Sequence, residues 1–236
     1  GQALASMGIY VFNLAFLCEQ LTRDAADPQS SHDFGHDLLP WLVARHRVFA
    51  HRFSESCVNM VGARPYWRDV GTIDAYWEAN MDLTTVVPEL NLYDDQWPIL
   101  SQQPQLPPAK FVFDEDSRRG SAVASLVSSG CIVSGATVRR SILFAKVRVG
   151  EHSLIEDSLV LPDCVVGRHV RLRRVVVDKR CVLPDGFSAG FDWDADRARF
   201  HVTENGITLI TVDMLGQAGS RAANATADDS DFAALR

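Results

Sequence analysis

One spacing in the second half of the chain restricts the fold more than any other feature. From Leu126, aliphatic residues recur at Ile132, Val138, Leu143, Val149, Ile155, Val160, Val166, Leu172, Val177 and Leu183. The steps are 6, 6, 5, 6, 6, 5, 6, 6, 5 and 6, so every third step completes a period of 17. A helix would space apolar residues three and four apart, and a simple strand two apart. A six-residue step rich in β-branched side chains fits short strands joined by tight corners. Three strands per coil make a triangular parallel β-helix of hexapeptide-like repeats. The period stacks Ile132, Val149, Val166 and Leu183 in one column. Val138, Ile155 and Leu172 form a second, and Leu126, Leu143, Val160 and Val177 a third. Gly150 and Gly167 follow the first column, where the pattern predicts corners at positive φ. Ten consecutive matches argue against a regularly spaced β-sandwich.

The remainder divides around this repeat. Residues 1–83 mix strand readings (Gly8–Phe12, Val48–Phe53) with helix readings at Leu14–Leu21, Asp37–Ala44 and a capped helix from Thr72 to Leu83. Ser30, Ser31 or Asp33 serves as cap for the second helix. Residues 84–123 carry Pro88, Pro98, Pro104, Pro107 and Pro108 and read as a wrapping linker. The β-helix takes 124–190. Residues 191–236 hold a strand at Ile207–Val212 and then, from Gly216, an Ala-, Ser-, Gly- and Asp-rich tail that reads as disordered.

Composition excludes several classes. With 47% hydrophobic and 22% charged residues, the chain is not wholly disordered. No apolar run approaches the ~20 residues that span a bilayer. The opening Gly1–Ser6 lacks the basic start of a secretory signal. Five cysteines without a CxxC pair read as reduced thiols of a cytoplasmic protein, with no metal-binding role. A net charge of −7 disfavours nucleic acid. The chain opens without Met and runs at once into Met7–Phe12, an apolar strand reading that suits the tail of something longer.

Three segments carry candidate chemistry. In Ser30-Ser-His-Asp-Phe-Gly-His-Asp37, His32 and His36 are four apart, which on a helix gives one metal-binding face. The same residues also read as a capped turn projecting Asp33, or as plain helix entry. In Tyr66-Trp-Arg-Asp-Val-Gly-Thr72, Asp69 can hold Mg²⁺, which takes one or two carboxylates plus substrate phosphates. Trp67 can stack on a sugar, or the aromatics are core and Asp69 or Thr72 only caps a helix. Between Ser125 and Gly186 stand ten Lys/Arg against six Asp/Glu. Arg168, Arg171, Arg173, Arg174, Lys179 and Arg180 suit an anionic, phosphorylated ligand, or are solvated turn charges. There is no Gly-rich phosphate loop, no GxSxG and no complete nucleophile–base signature.

Taken in order, Ala5-Ser-Met-Gly-Ile-Tyr-Val-Phe12, Ser30–Gly35, Tyr66–Thr72, Pro107-Pro-Ala-Lys-Phe-Val112, the β-helix and Cys181-Val-Leu-Pro-Asp-Gly186 resemble the C-terminal half of bacterial glucose-1-phosphate adenylyltransferases (ADP-glucose pyrophosphorylases). The resemblance spans roughly residues 3–215. It implies the C-terminal part of a Rossmann-like nucleotidyltransferase domain followed by a left-handed parallel β-helix. It implies ATP and glucose 1-phosphate as substrates, ADP-glucose and pyrophosphate as products, and a place in glycogen biosynthesis. It also implies Mg²⁺, a homotetramer, and phosphorylated allosteric effectors of sugar-phosphate activator and AMP-like inhibitor type. Residue by residue, Ser6 matches a serine that contacts glucose 1-phosphate, and Tyr10, Asp33, Phe34 and Trp67 match the lining of the same pocket. Asp69 matches a catalytic Mg²⁺ ligand.

Lys179 stands where many relatives have an effector-binding arginine, with Arg171 and Arg174 as basic neighbours. Val212-Asp-Met-Leu-Gly216 departs from the basic residues that fructose-bisphosphate-responsive members carry there. The family's nucleotide loop, first metal aspartate and Glu-Lys motif precede Ser6, so the chain alone is expected to be inactive. Two rival readings are a non-catalytic regulatory or assembly subunit and a hexapeptide acyltransferase, for which His152 and His169 are the β-helix histidines.

Overall fold

The computed structural model describes residues 5–56, 60–61 and 64–217. The chain divides into two compact units, Gly1–Ser56 and Cys57–Arg236. The expected disordered tail lies, from residue 218 on, outside the described residues.

In the first unit, helix α1 (Leu14–Ala25) starts at Asn13, whose side chain accepts from the Ala15 and Phe16 N–H groups. A π-helical turn (Phe34–Leu38) runs into helix α2 (Leu39–Arg45), which carries Pro40 in its first turn. Of the three cap candidates, Asp33 takes the position and accepts the His36 N–H at 2.7 Å. Leu38 and Leu42 are buried beneath. The two strand readings here are corrected. Gly8–Phe12 has no ladder partner among the described residues and leaves Ile9 and Val11 exposed. Val48–Phe53 is irregular and ends in a 3₁₀ turn, Phe53–Glu55. Apolar alternation records which side of a strand would be buried; the strand itself exists only through a neighbour's N–H and C=O groups.

The second unit holds the predicted parallel β-helix, with three faces. The first face stacks Lys110–Val112, Ile132–Ser134, Arg148–Val149, Val165–Val166 and Val182–Leu183. The second stacks Ser121–Val123, Thr137–Arg139, Leu154–Glu156, Arg171–Arg173 and Ser188–Ala189. The third stacks Leu126–Val127, Ile142–Leu143, Leu159–Val160, Val175–Val177 and Thr208–Ile210. The ladder thus already includes Lys110–Val112 and Ser121–Val123, inside the stretch read as linker. A charged hairpin, Asp114–Glu115 paired with Arg118–Arg119, bulges out between them.

The second column is as predicted. The other two slip by one residue at their N-terminal end. Val133, not Ile132, pairs with Val149, and Val127, not Leu126, pairs with Leu143. The corner Ser134–Thr137 between Val133 and Val138 has four residues, where its counterpart Gly150–Leu154 has five. Each slipped position is a doublet of aliphatic residues, so the spacing alone does not choose between them. Val133 and Val138 are fully buried.

The corners also correct the glycine reading. Positive φ falls on His152 and His169, on Arg140, Asp157 and Arg174, and on Lys146, Asp163 and Arg180, in one row per corner. Each of these N–H groups donates to a carbonyl one coil back, as Arg180 does to Pro162 at 3.0 Å. Gly150 and Gly167 are absent from that set. They are glycines because coils approach closely there. A Cβ on Gly167 would stand 2.8 Å from the Asp185 backbone nitrogen.

Outside the third face, helix α3 (Ile73–Asp82) starts at Thr72, as the sequence reading had it, and Thr72 Oγ1 accepts the Ala75 N–H at 3.1 Å. Its Ile73, Tyr76, Trp77 and Met81 pack on Ile142, Leu159, Val176 and Ile207. The far end of the β-helix is closed by helix α4 (Trp193–Arg197), a hairpin of His201–Val202 with Thr208–Ile210, and Gln217. The Gln217 amide bonds both the N–H and C=O of Val182, in the manner of one more strand residue. Cys131, Cys164 and Cys181 are buried free thiols, and Cys18 is an exposed one. Among the described residues no helix is long and apolar enough to cross a membrane.

Candidate active-site segments

Four expected site residues come together in the first unit. The Ser6 and Tyr10 hydroxyls are 2.8 Å apart, and Ser6 Oγ also accepts the Gly8 N–H, at positive φ. The Tyr10 ring stacks on Phe34 with centroids 5.9 Å apart and planes 10° from parallel. Phe12, which the sequence reading passed over, meets both rings edge-on. Asp33 directly precedes Phe34 and is held as the helical cap. The result is an aromatic shelf, the near-parallel Tyr10 and Phe34 rings with Phe12 standing across them, and two hydroxyls beside it, a set of groups suited to a sugar face with its ring hydroxyls.

The turn beneath the shelf is fixed by carboxylates. His32, at positive φ, meets Asp24 at 3.0 Å, and Ser30 Oγ donates to the other Asp24 oxygen. His36 bonds Asp37, which also accepts from the Ser31 hydroxyl and from the Ser31 and Asp33 N–H groups. These bonds, Ser31 first and His36 next, hold the Asp37 carboxyl well below its ordinary value. His32 and His36 therefore turn to different carboxylates and do not share a helical face. Among the described residues no group of three His, Cys, Asp or Glu side chains is placed to hold a metal.

The second unit carries Trp67 and Asp69 in the turn leading to α3. Trp67 is about half exposed. Asp69 Oδ1 accepts the Gly71 N–H at 2.9 Å, and Thr72, not Asp69, caps the helix. Asp69 is exposed and spends Oδ1 on that bond; among the described residues its Oδ2 has no hydrogen-bond donor. That geometry fits a carboxylate contributing one ligand to a divalent cation completed by phosphate oxygens. Arg68 donates to Glu89 at 2.7 Å, and this pairing raises the guanidinium pKa further. The Glu89 N–H is in turn held by Asp82 at the end of α3. The turn is therefore anchored at both ends of one helix.

The basic residues follow one another along a single coil. Arg171 lies on the second face with its guanidinium over Phe191, 4.3 Å from the ring centroid. Arg174 is at the next corner, over Trp77 and bonded to the Asn205 carbonyl at 2.9 Å. Lys179 is exposed at the following corner, beyond the strand Val175–Val177. His152 and His169 stack on the remaining corner, 4.9 Å apart.

Residues 107–210 match the family model for the GlmU-like C-terminal hexapeptide, and residues 1–86 match the nucleotidyl transferase model. The chain is 65% identical over 217 residues to the glucose-1-phosphate adenylyltransferase of Nitrosospira multiformis, covering 92% of this chain and 51% of that protein. Identity to the protein of that name from Methylobacillus flagellatus is 66% over 215 residues, covering 91% and 50%. For Nitrosomonas europaea it is 62% over 218, covering 92% and 50%. Over nearly its whole length the chain is similar to glucose-1-phosphate adenylyltransferases. It spans about half the length of the relatives it matches. In adenylyltransferase terms, the shelf and the Asp69 turn both fall within the nucleotidyl transferase match.

Proposed function

We propose that the protein carrying this chain transfers the adenylyl group of ATP to glucose 1-phosphate. A phosphate oxygen of the sugar phosphate forms a bond to the α-phosphorus, the bond to the bridging oxygen of the β-phosphate breaks, and pyrophosphate leaves. The observation that carries this reading is identity of 62–66% across nearly the whole chain with proteins bearing that name. In the first unit, Ser6, Tyr10, Asp33 and Phe34 take the sugar phosphate, the rings against the hexose and the polar groups orienting it; in the second unit, Trp67 is assigned to sugar-phosphate binding by the resemblance alone. Asp69 would supply one ligand to Mg²⁺, which when bound would offset negative charge on the phosphate oxygens. Orientation for in-line attack is the chain's own share of the catalysis. The regulatory reading assigns Lys179, with Arg171 and Arg174, to phosphorylated effectors, in a cytoplasmic homotetramer serving glycogen synthesis.

The test is pyrophosphate release from ATP by the complete protein. Turnover is expected with glucose 1-phosphate and not with an acyl-CoA donor. The variant Ser6→Ala is expected to raise KM for glucose 1-phosphate more than it changes KM for ATP. Pyrophosphate release that is indifferent to glucose 1-phosphate would overturn the assignment.

A further inference from the structure

Helix α3, which follows Asp69, is held by a segment far away in sequence. Asp74 in its first turn accepts from Thr203 Oγ1 at 2.6 Å and from Asn205 Nδ2 at 3.1 Å. The Thr203 hydroxyl also accepts the Ile207 N–H at 3.0 Å, so it works as donor and acceptor at once. The Asn205 carbonyl takes the Arg174 guanidinium. Gly206 closes the turn at φ +79°, so near Trp193 that a Cβ would stand 2.8 Å from its ring. The 203–206 turn is thus fixed by α3, by the β-helix corner at Arg174 and by α4. One turn along α3, Trp77 Nε1 donates to the Asp157 carbonyl at 2.8 Å.

Apolar packing already attaches α3 to the third face, and such packing is non-directional. Directional hydrogen bonds to both carboxylate oxygens of one side chain add something different: they fix the rotation and the axial position of the helix. What that fixes is upstream. Thr72 caps the same turn, and the Gly71 N–H just before it holds Asp69 Oδ1.

We propose that Thr203 and Asn205 are positioning residues for Asp69. Through Asp74 they set the first turn of α3, and so the direction in which the Asp69 carboxylate meets a divalent cation. The proposal rests on the reading of Asp69 as a cation ligand.

The test uses the complete protein, with Mn²⁺ as the spectroscopic probe of the divalent site and hydrogen–deuterium exchange over residues 69–76. Thr203→Val and Asn205→Ala should each speed exchange there and weaken Mn²⁺ binding by about three- to tenfold. Exchange in the first and second faces of the β-helix should not change, and Thr203→Ser, which keeps the hydroxyl, should restore wild-type behaviour. Unchanged Mn²⁺ affinity in Thr203→Val and Asn205→Ala, whatever their thermal stability, overturns the proposal. The variant Asp69→Asn separates the two layers. If it binds Mn²⁺ as wild type does, the reading of Asp69 fails and the proposal with it. If it loses Mn²⁺ while the turn variants do not, only the positioning role fails.

Discussion

Asp69 and Gly167 show how single residues were legible to different depths. Asp69 stands out because a carboxylate between a tryptophan and a helix start suits phosphate chemistry, and among the described residues no donor engages its Oδ2. In the complete protein, Asp69→Asn is expected to lower kcat at least about tenfold; near wild-type turnover would remove it from the cation site. Gly167 was read for positive φ, whereas its role is close approach. Gly167→Ala should therefore destabilise by about 1–3 kcal/mol, since the new methyl meets backbone at Asp185 and Leu183. Arg180→Gly should act the other way, gaining up to about 1 kcal/mol by relieving a left-handed side-chain residue. Urea midpoints of the two variants should move in opposite directions.

Asp37 gives a pH dependence with a definite sign. Its carboxyl is held below the ordinary value of 3.8 by Ser31 and then His36. A depressed folded pKa means that the stabilisation is fully present above the unfolded value and lost as pH falls through the folded one. Acidification below about pH 4 should loosen the 30–38 turn in wild type. Asp37→Asn should flatten that part of the profile, as read by amide exchange or tryptophan fluorescence.

At the scale of elements, a serine ladder links the coils. Ser158 Oγ, fully buried, donates to the Glu156 carbonyl at 2.6 Å and accepts the Val175 N–H at 3.1 Å. One coil back, Ser141 Oγ accepts the Ser158 N–H. Ser158→Ala would bury an unpaired N–H and should cost about 1–3 kcal/mol, measurable by denaturant unfolding. Ser158→Cys, keeping a weak acceptor, should cost less. The ladder was invisible to a search for aliphatic periodicity, although the serines share the period of 17. The helices were more legible than the strands of the first unit. Thr72, followed by an apolar helical stripe, is a local signal, and capping needs no distant partner. Strand formation at Gly8–Phe12 needs a neighbour that local sequence does not name.

Across the molecule, burial is uneven. The β-helix core joins residues from Cys131 to Ile210 in one continuous cluster, while the first unit buries Leu38 and Leu42 with Gln20 and Asp24. Amide exchange should accordingly be slowest in the strands from Ile132 to Val177, and faster throughout residues 5–56. Equal protection in both units would contradict this distribution of packing.

The period of 17, the helix starting at Thr72 and the likeness to glucose-1-phosphate adenylyltransferases could all be read from residue order, because each depends on repetition or on residues close in sequence. The one-residue slip at Ile132, the close approach at Gly167, and the bonds from Thr203 and Asn205 to Asp74 could not. Each is a contact between segments whose separation in sequence is arbitrary. Only the stacking of coils, and the docking of a helix against them, decides which side chains meet there.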